Sequence, residues 1–195
     1  MTHLEEVLTR FNARNLNDKT VITEFRKIAD VVFFGGFFLV NGETRIYPVD
    51  IEFYLFGEKK TEEPWMQDKQ MIHRKTGKES VPYFPNSGSL FPHTYGIDVT
   101  FENPKQEYRA SFLIRSYHLD NDAIETHPTY LWDDLFGNAS FSGSGLSVIW
   151  VDDESEEPRE IGQDKRLNLK DENKTPDSKP WRFYKKSVKE KLVFK

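Results

Sequence analysis

The chain has 195 residues, 37% of them hydrophobic, with 16 Phe, 8 Tyr and 4 Trp, which is enough for a single domain with an aromatic-rich core. It contains no cysteine, which excludes disulfides, thiolate metal sites and a cysteine nucleophile. Its formal net charge of −5 argues against strong non-specific binding to nucleic acid, which scales with the phosphates neutralised, but is compatible with a locally basic face.

The opening MTHLEEVLTRF has no basic segment followed by an apolar one, so no signal peptide is expected. The apolar run VVFFGGFFLV is short and interrupted by Gly35 and Gly36, so no membrane span is expected, and the cytoplasm is the expected compartment. Leu4, Val7, Leu8 and Phe11 recur at helical spacing and predict an amphipathic helix over 2–15, with Thr2 and Glu5 spaced as a capping box. Asp18 or Thr20 is placed to cap a second, short helix carrying Val21, Ile22, Phe25 and Ile28, so that residues 1–29 form a helical segment. The run over 31–40 reads as a strand. Asn41-Gly42 then gives a hairpin signal, because both central residues of a type I′ turn need positive φ.

The return strand, RIYPVDIEFYLF over 45–56, sets Tyr47, Val49, Ile51, Phe53 and Leu55 on one face and Asp50, Glu52 and Tyr54 on the other. Pro48 suits an edge or a bulge. Residues 57–89 read as a long irregular excursion of the functional kind. Two strands follow, GIDVTFE over 96–102 and EYRASFLIRSY over 107–117, with a turn at Asn103-Pro104. In the second, Tyr108, Ala110, Phe112 and Ile114 share one face, and Arg109, Ser111, Leu113, Arg115 and Tyr117 the other. HPTYLWDDLFGN, 127–138, reads as helix with Gly137 as its cap, and LSVIWV, 146–151, as a strand. Residues 152–178 read as an acidic then polar surface loop, and 179–195 as a basic terminal segment. The expected architecture is one α+β domain on a curved, mainly antiparallel sheet with flanking helices.

Two residues stand out chemically. Glu52 is a strand carboxylate beside Tyr54 and suits a general base, although a polar outer face alone would explain it, as it would Asp50. Arg115 lies within ASFLIRSY, where an arginine either pairs with a carboxylate or extends its stem over the sheet. The five histidines form no H-x-x-x-H or similar pattern, SFSGSG lacks the Lys-Ser/Thr of a phosphate loop, and no G-x-S-x-G elbow occurs.

In order, these segments resemble the alkyladenine (3-methyladenine) DNA glycosylase family over roughly residues 30–186. FFLVNGETRIYPVDIEFYLF is similar to the family's entry strand and G-R-I-V-E-T-E-A-Y motif. SGSLFPHTYGIDVTF resembles its P-G-x-L-Y-V-Y-x-x-Y-G stretch. RASFLIRSYHL resembles A-x-L-L-R-A-L-x-P-L, and RLNLKD followed by KPWRFY resembles R-V-G-V followed by P-W-R-F-Y.

The resemblance implies that Glu52 activates a water, held by Arg115 and the carbonyl of Leu167. Tyr54 and His93 would sandwich a flipped base, with His73 and Asp98 also in the pocket. Tyr95 would wedge into the duplex, and Lys179, Arg182, Lys185 and Lys186 would contact its backbone. It implies no cofactor or metal, and a monomer acting on double-stranded DNA that carries a damaged base. The chain departs from the family pattern at Phe53, where the family has a small residue, at His93 for a tyrosine, and at Asp98 for an asparagine. The alternatives are a non-catalytic ligand- or nucleic-acid-binding protein that keeps the fold, and a hydrolase of a small nucleoside-like ligand.

Overall fold

The computed structural model describes residues 1–13, 16–57, 87–103, 105, 108–120, 123–137, 145–169 and 178–193; His73, Pro104 and most of the 57–89 excursion lie outside them. Helix α1 (His3–Arg10) carries the predicted capping box, with the Glu5 amide donating to Thr2 Oγ1 and the Thr2 amide to Glu5 Oε2. It ends earlier than predicted because Phe11 leaves helical geometry and turns its ring onto Phe25, Phe101 and Tyr108. Helix α2 (Asp18–Phe34) is 17 residues long, not short, and its cap is Asn17, which accepts from the Lys19 and Thr20 amides. It includes residues 31–34, predicted as strand. All four are buried, and an apolar run buried on every side carries no period that separates helix from strand.

Strand β1 (Gly36–Val40) enters the hairpin at Asn41 and Gly42, which have φ of 51° and 77°, and the Glu43 amide donates to the Val40 carbonyl. Strands β2 (Thr44–Gly57), β3 (Ser89–His93), β4 (Gly96–Thr100) and β5 (Tyr108–Leu119) follow, then helix α3 (Leu131–Phe136), strands β6 (Val148–Asp152), β7 (Ile161–Asp164) and β8 (Arg182–Lys185), and a 3-10 helix over Lys186–Lys191. Every strand pairing among the described residues is antiparallel. The α+β architecture is therefore a curled sheet of eight strands in the order β3-β4-β5-β2-β1-β6, with β8 on the free part of β2 and β7 on β8.

β2 is the axis of the sheet. One edge pairs with β5 over residues 46–57, while the other pairs first with β1, at 44–46, and then with β8, at 50–52. Pro48 falls between the second edge's two partners, where a missing N–H does no harm. The ladder skips Val49 on β2 and Arg115 on β5. These paired bulges shift the alternation by one residue on each strand. Ile46 and Tyr117 therefore join Ile51, Phe53, Leu55 and Phe112 in the core, whereas Val49 packs with Tyr184 and Leu192 in a separate cluster. Tyr47, also predicted in the core row, instead stacks on His118. α2 covers the core face, with Phe25 stacked on Phe53 at 4.2 Å.

Three strands escaped sequence reading. β3 contains Pro92, which an edge strand tolerates. β7 and β8 have four residues each, too few to show a period. Residues 152–178 are accordingly more than a surface loop, since they hold β7 and the buried Arg166.

Candidate active site

The face of the sheet opposite the α2-covered core is polar, yet largely buried. In register across five strands, one row reads Phe91, Asp98, Leu113, Glu52 and Arg182. Antiparallel partners share a face, so this row brings residues as far apart in sequence as Glu52 and Arg182 to one surface.

Glu52 is at its centre and is 0% exposed. Its Oε1 accepts from the Leu167 amide at 2.6 Å; its Oε2 accepts from Tyr54 Oη at 3.1 Å and Arg115 Nη1 at 3.3 Å. Arg115 reaches Glu52 because the β5 bulge leaves it outside the ladder on the polar face. Its side chain is 14% exposed, so the pair reaches solvent on the arginine side. Burial raises the Glu52 carboxyl above the usual range, against the opposing pull of Arg115 and the Leu167 N–H, while Asp50 adds a further rise. Burial also holds the Tyr54 phenol well above its ordinary value. Leu167 thus meets Glu52 through its amide; the resemblance gives its carbonyl a separate contact, to the water.

Arg166 supports this cluster and went unrecognised in the sequence. It is buried, its guanidinium lies 5.1 Å from the ring centroids of both Tyr54 and Trp181, and it donates to the Phe53 carbonyl at 3.1 Å. It clamps the segment carrying Leu167 onto β2, and covers one face of Tyr54. A single arginine in a polar stretch offers no periodic signal that would have singled it out.

Asp98 lies one strand beyond Leu113. It accepts from Ser111 Oγ at 2.6 Å and from His93 Nε2 at 2.9 Å. His93 and Gly96 bracket the two-residue tip of the β3–β4 hairpin, Thr94-Tyr95, where Tyr95 is 58% exposed. Gly96 closes that hairpin with φ of 140°, and a Cβ there would lie 2.8 Å from Leu113 Cδ1. His93 and Asp98 are therefore together, and Tyr95 projects beside them.

The basic segment needs correction. Arg182 is 1% exposed and forms a bidentate pair with Asp50, through Nε at 2.9 Å and Nη2 at 2.6 Å, while Nη2 also donates to the Val193 carbonyl. Lys185 is 5% exposed, 3.3 Å from Glu157 and over the Phe34 ring. Neither is presented to a phosphate backbone, because β8 is an inner strand of the sheet between β2 and β7. Asp50, read as a solvated carboxylate, is the buried partner of Arg182. Lys179 lies over the Trp181 ring at 4.7 Å, and Lys186 is exposed, 3.9 Å from Glu160.

A cleft of about 510 Å³ opens at the other end of β2, lined by Val49, His118, Glu157, Lys185, Lys186 and neighbours. Glu52, Arg115 and Asp98 do not line it. Among the described residues no group of three or more His, Asp or Glu side chains converges to hold a metal ion. Among them, too, no helix is long and apolar enough to cross a membrane. Comparisons with protein-family models, with curated proteins and with solved structures found no match to this chain.

Proposed function

We propose that the protein is a DNA glycosylase-like hydrolase that removes a damaged purine by cleaving its N-glycosidic bond. One observation carries the reading. Glu52, Arg115 and the backbone of Leu167, separated by more than a hundred positions overall, meet within 2.6–3.3 Å on the polar face, with Tyr54 beside them.

The chemistry follows from that cluster. A base is rotated out of the duplex at a cost of a few kcal/mol, least for a weakened pair, while Tyr95 at the hairpin tip fills the gap. Tyr54 is the ring on which the base stacks. A water enters on the exposed Arg115 side and is oriented by that guanidinium. Glu52 takes one proton from the water as its oxygen bonds to the anomeric carbon. The electron pair of the C–N bond leaves with the base, and a cationic, N-alkylated base needs no further proton to depart. The raised Glu52 carboxyl makes it a stronger base than an ordinary glutamate once ionised. Arg115 works against that rise and favours the ionised form.

The test is incision of duplexes containing hypoxanthine, ethenoadenine or 3-methyladenine, after alkaline cleavage of the abasic product. Wild-type protein should act on at least one, and Glu52→Gln on none. A second reading, a nucleic-acid-binding protein without hydrolysis, is favoured by the complete enclosure of Glu52 and by the diversion of Arg182 and Lys185 to internal pairs. It predicts retention of lesion-containing duplexes in a gel shift with no incision on any lesion.

A further inference from the structure

The second edge of β2 pairs with β1 as far as Ile46 and with β8 only from Asp50. Val49 falls in that interval and lines the cleft of about 510 Å³, a volume suited to one small molecule. The charged lining of the cleft comes as two opposite pairs. Lys185 Nζ lies 3.3 Å from Glu157 Oε2, and Lys186 Nζ lies 3.9 Å from Glu160 Oε2. Val49 and Val188, which share a small cluster with Tyr184 and Leu192, add an apolar wall.

Two polar groups in this lining have bonding capacity that the protein does not use. Lys185 is enclosed at 5% exposure, with the Phe34 ring on one side. Of its three N–H donors one is given, to a Glu157 carboxylate whose side chain is 53% exposed. His118 is the other. Its Nδ1 is 2.8 Å from the Asp120 carbonyl, which can only accept, so Nδ1 bears the proton and Nε2 is an acceptor. Among the described residues Nε2 has no protein donor. Burial, with the Lys185 charge behind it, lowers the His118 pKa against the pull of Glu157 and Asp120, which keeps the ring neutral at pH 7.

This pattern selects the charge of a ligand. A purely anionic molecule would meet Glu157 and Glu160, and a purely cationic one Lys185 and Lys186, so each would have like charge beside it. A molecule carrying both charges meets neither penalty. An α-amino acid bears its carboxylate and its ammonium on one carbon, and can enter between Lys185 and Glu157 with each charge against its opposite. The exposed Glu157 side chain can yield, because ion pairs open to solvent hold weakly. We infer that the cleft is a binding site for a free α-amino acid with an aliphatic side chain. Lys185 holds the carboxylate, Glu157 and His118 Nε2 accept from the ammonium, and Val49 and Val188 contact the side chain. The site is independent of the base-excision reading, since Glu52 does not line the cleft.

Calorimetric titration of the full chain at about pH 7 with L-leucine, 4-methylpentanoate and 3-methylbutylamine tests this. The last two are leucine without its ammonium and without its carboxylate. Leucine should bind at least about tenfold more tightly than either, the loss expected for one charge-assisted hydrogen bond. Glu157→Gln, a change at an exposed side chain, removes the ammonium partner and the repulsion of a bare carboxylate together. It should reduce the preference for leucine over 4-methylpentanoate by at least about tenfold. Lys185→Met should abolish leucine binding, whereas Glu52→Gln should bind leucine as wild type does. Leucine should also shift the His118 ring resonances in an NMR titration. No binding of leucine up to about 10 mM, a carboxylate or amine analogue that binds as well, an unchanged preference in Glu157→Gln, or binding that leaves His118 unshifted overturns the inference. If Lys185→Met does not fold, the Glu157→Gln preference and the His118 shift decide.

Discussion

Asp50 and Glu52 are the same kind of group, two residues apart on one strand and one face, yet the fold treats them oppositely. Asp50 is closed by a bidentate arginine that is itself buried, and by a hydrogen bond with Ser116. Glu52 is held by one backbone amide, one phenol and one arginine whose side chain reaches solvent. The first arrangement is a fastener between β2 and β8, and it also ties down the chain end through the Val193 carbonyl. The second leaves a carboxylate raised by burial next to a cation that water can approach. Both acids are raised by burial, so what separates them is the exposure of the partner: the Asp50 arginine is enclosed, and the Glu52 arginine reaches solvent.

The largest effects should come from breaking that contrast directly. Arg182→Met strands the Asp50 charge in the sheet and should cost about 3–5 kcal/mol of stability, whereas Asp50→Leu with Arg182→Met should recover much of the loss. Urea denaturation of the two singles and the double measures this; a single variant as stable as wild type would mean that the Asp50 pair is no fastener. Glu52→Gln should do the opposite. Its incision rate should fall by about 10²–10⁴, the usual contribution of a general base. Its stability should change by less than that of Arg182→Met, because the Tyr54 hydroxyl can reverse to accept from the new amide, and the Arg115 side chain, which reaches solvent, can turn away from it. Next in size is Arg166→Met, which keeps the bulk but removes the guanidinium from Tyr54, Trp181 and the Phe53 carbonyl. It should cost about 1–2 kcal/mol. It should also weaken nucleoside binding with little change in the pH dependence of any activity, since it leaves the Leu167, Tyr54 and Arg115 partners of Glu52 in place.

How far the sequence carried this contrast depends on the scale of the signal. The hairpin at Asn41-Gly42, the strands β2 and β5 taken singly, the Thr2–Glu5 box and the centre of the helix read over 127–138 all follow from local rules of turn, period and cap, and the structure has them. The meeting of Glu52 and Arg115 was legible only as a question, because alternation places both on polar faces of strands without stating that the strands are neighbours. The bulges at Val49 and Arg115 were not legible at all, although they decide that Tyr117 turns inward and Arg115 stays outward. Arg182 and Lys185 were misread because a run of lysines and arginines resembles an exposed face. The four-residue strand that buries them is created by its pairing with β2 and β7, a tertiary event. Arg166 was invisible for the same reason: its value comes from Tyr54 and Trp181, more than a hundred positions before it and fifteen after.

The smallest predicted effect reads the same contrast through protons. The Glu52 carboxyl is raised in the folded protein, so between the ordinary glutamate range, about 4.3, and its folded value the native state holds a proton that the unfolded chain has released. Its contribution to stability is therefore full below the unfolded value and is lost as pH rises through the folded one. Wild-type stability should fall across that window relative to Glu52→Gln, with a limiting slope of about 1.4 kcal/mol per pH unit for one proton. Arg115→Met removes the cation that opposes the rise, so the Glu52 carboxyl should move further up and the window should widen toward neutral pH. Denaturation of the three proteins at pH steps from about 4 to about 8 gives the difference curves. Parallel curves for wild type and Glu52→Gln would mean that Glu52 titrates alike in both states. In that event burial does not poise it, and its enclosure would be as structural as that of Asp50.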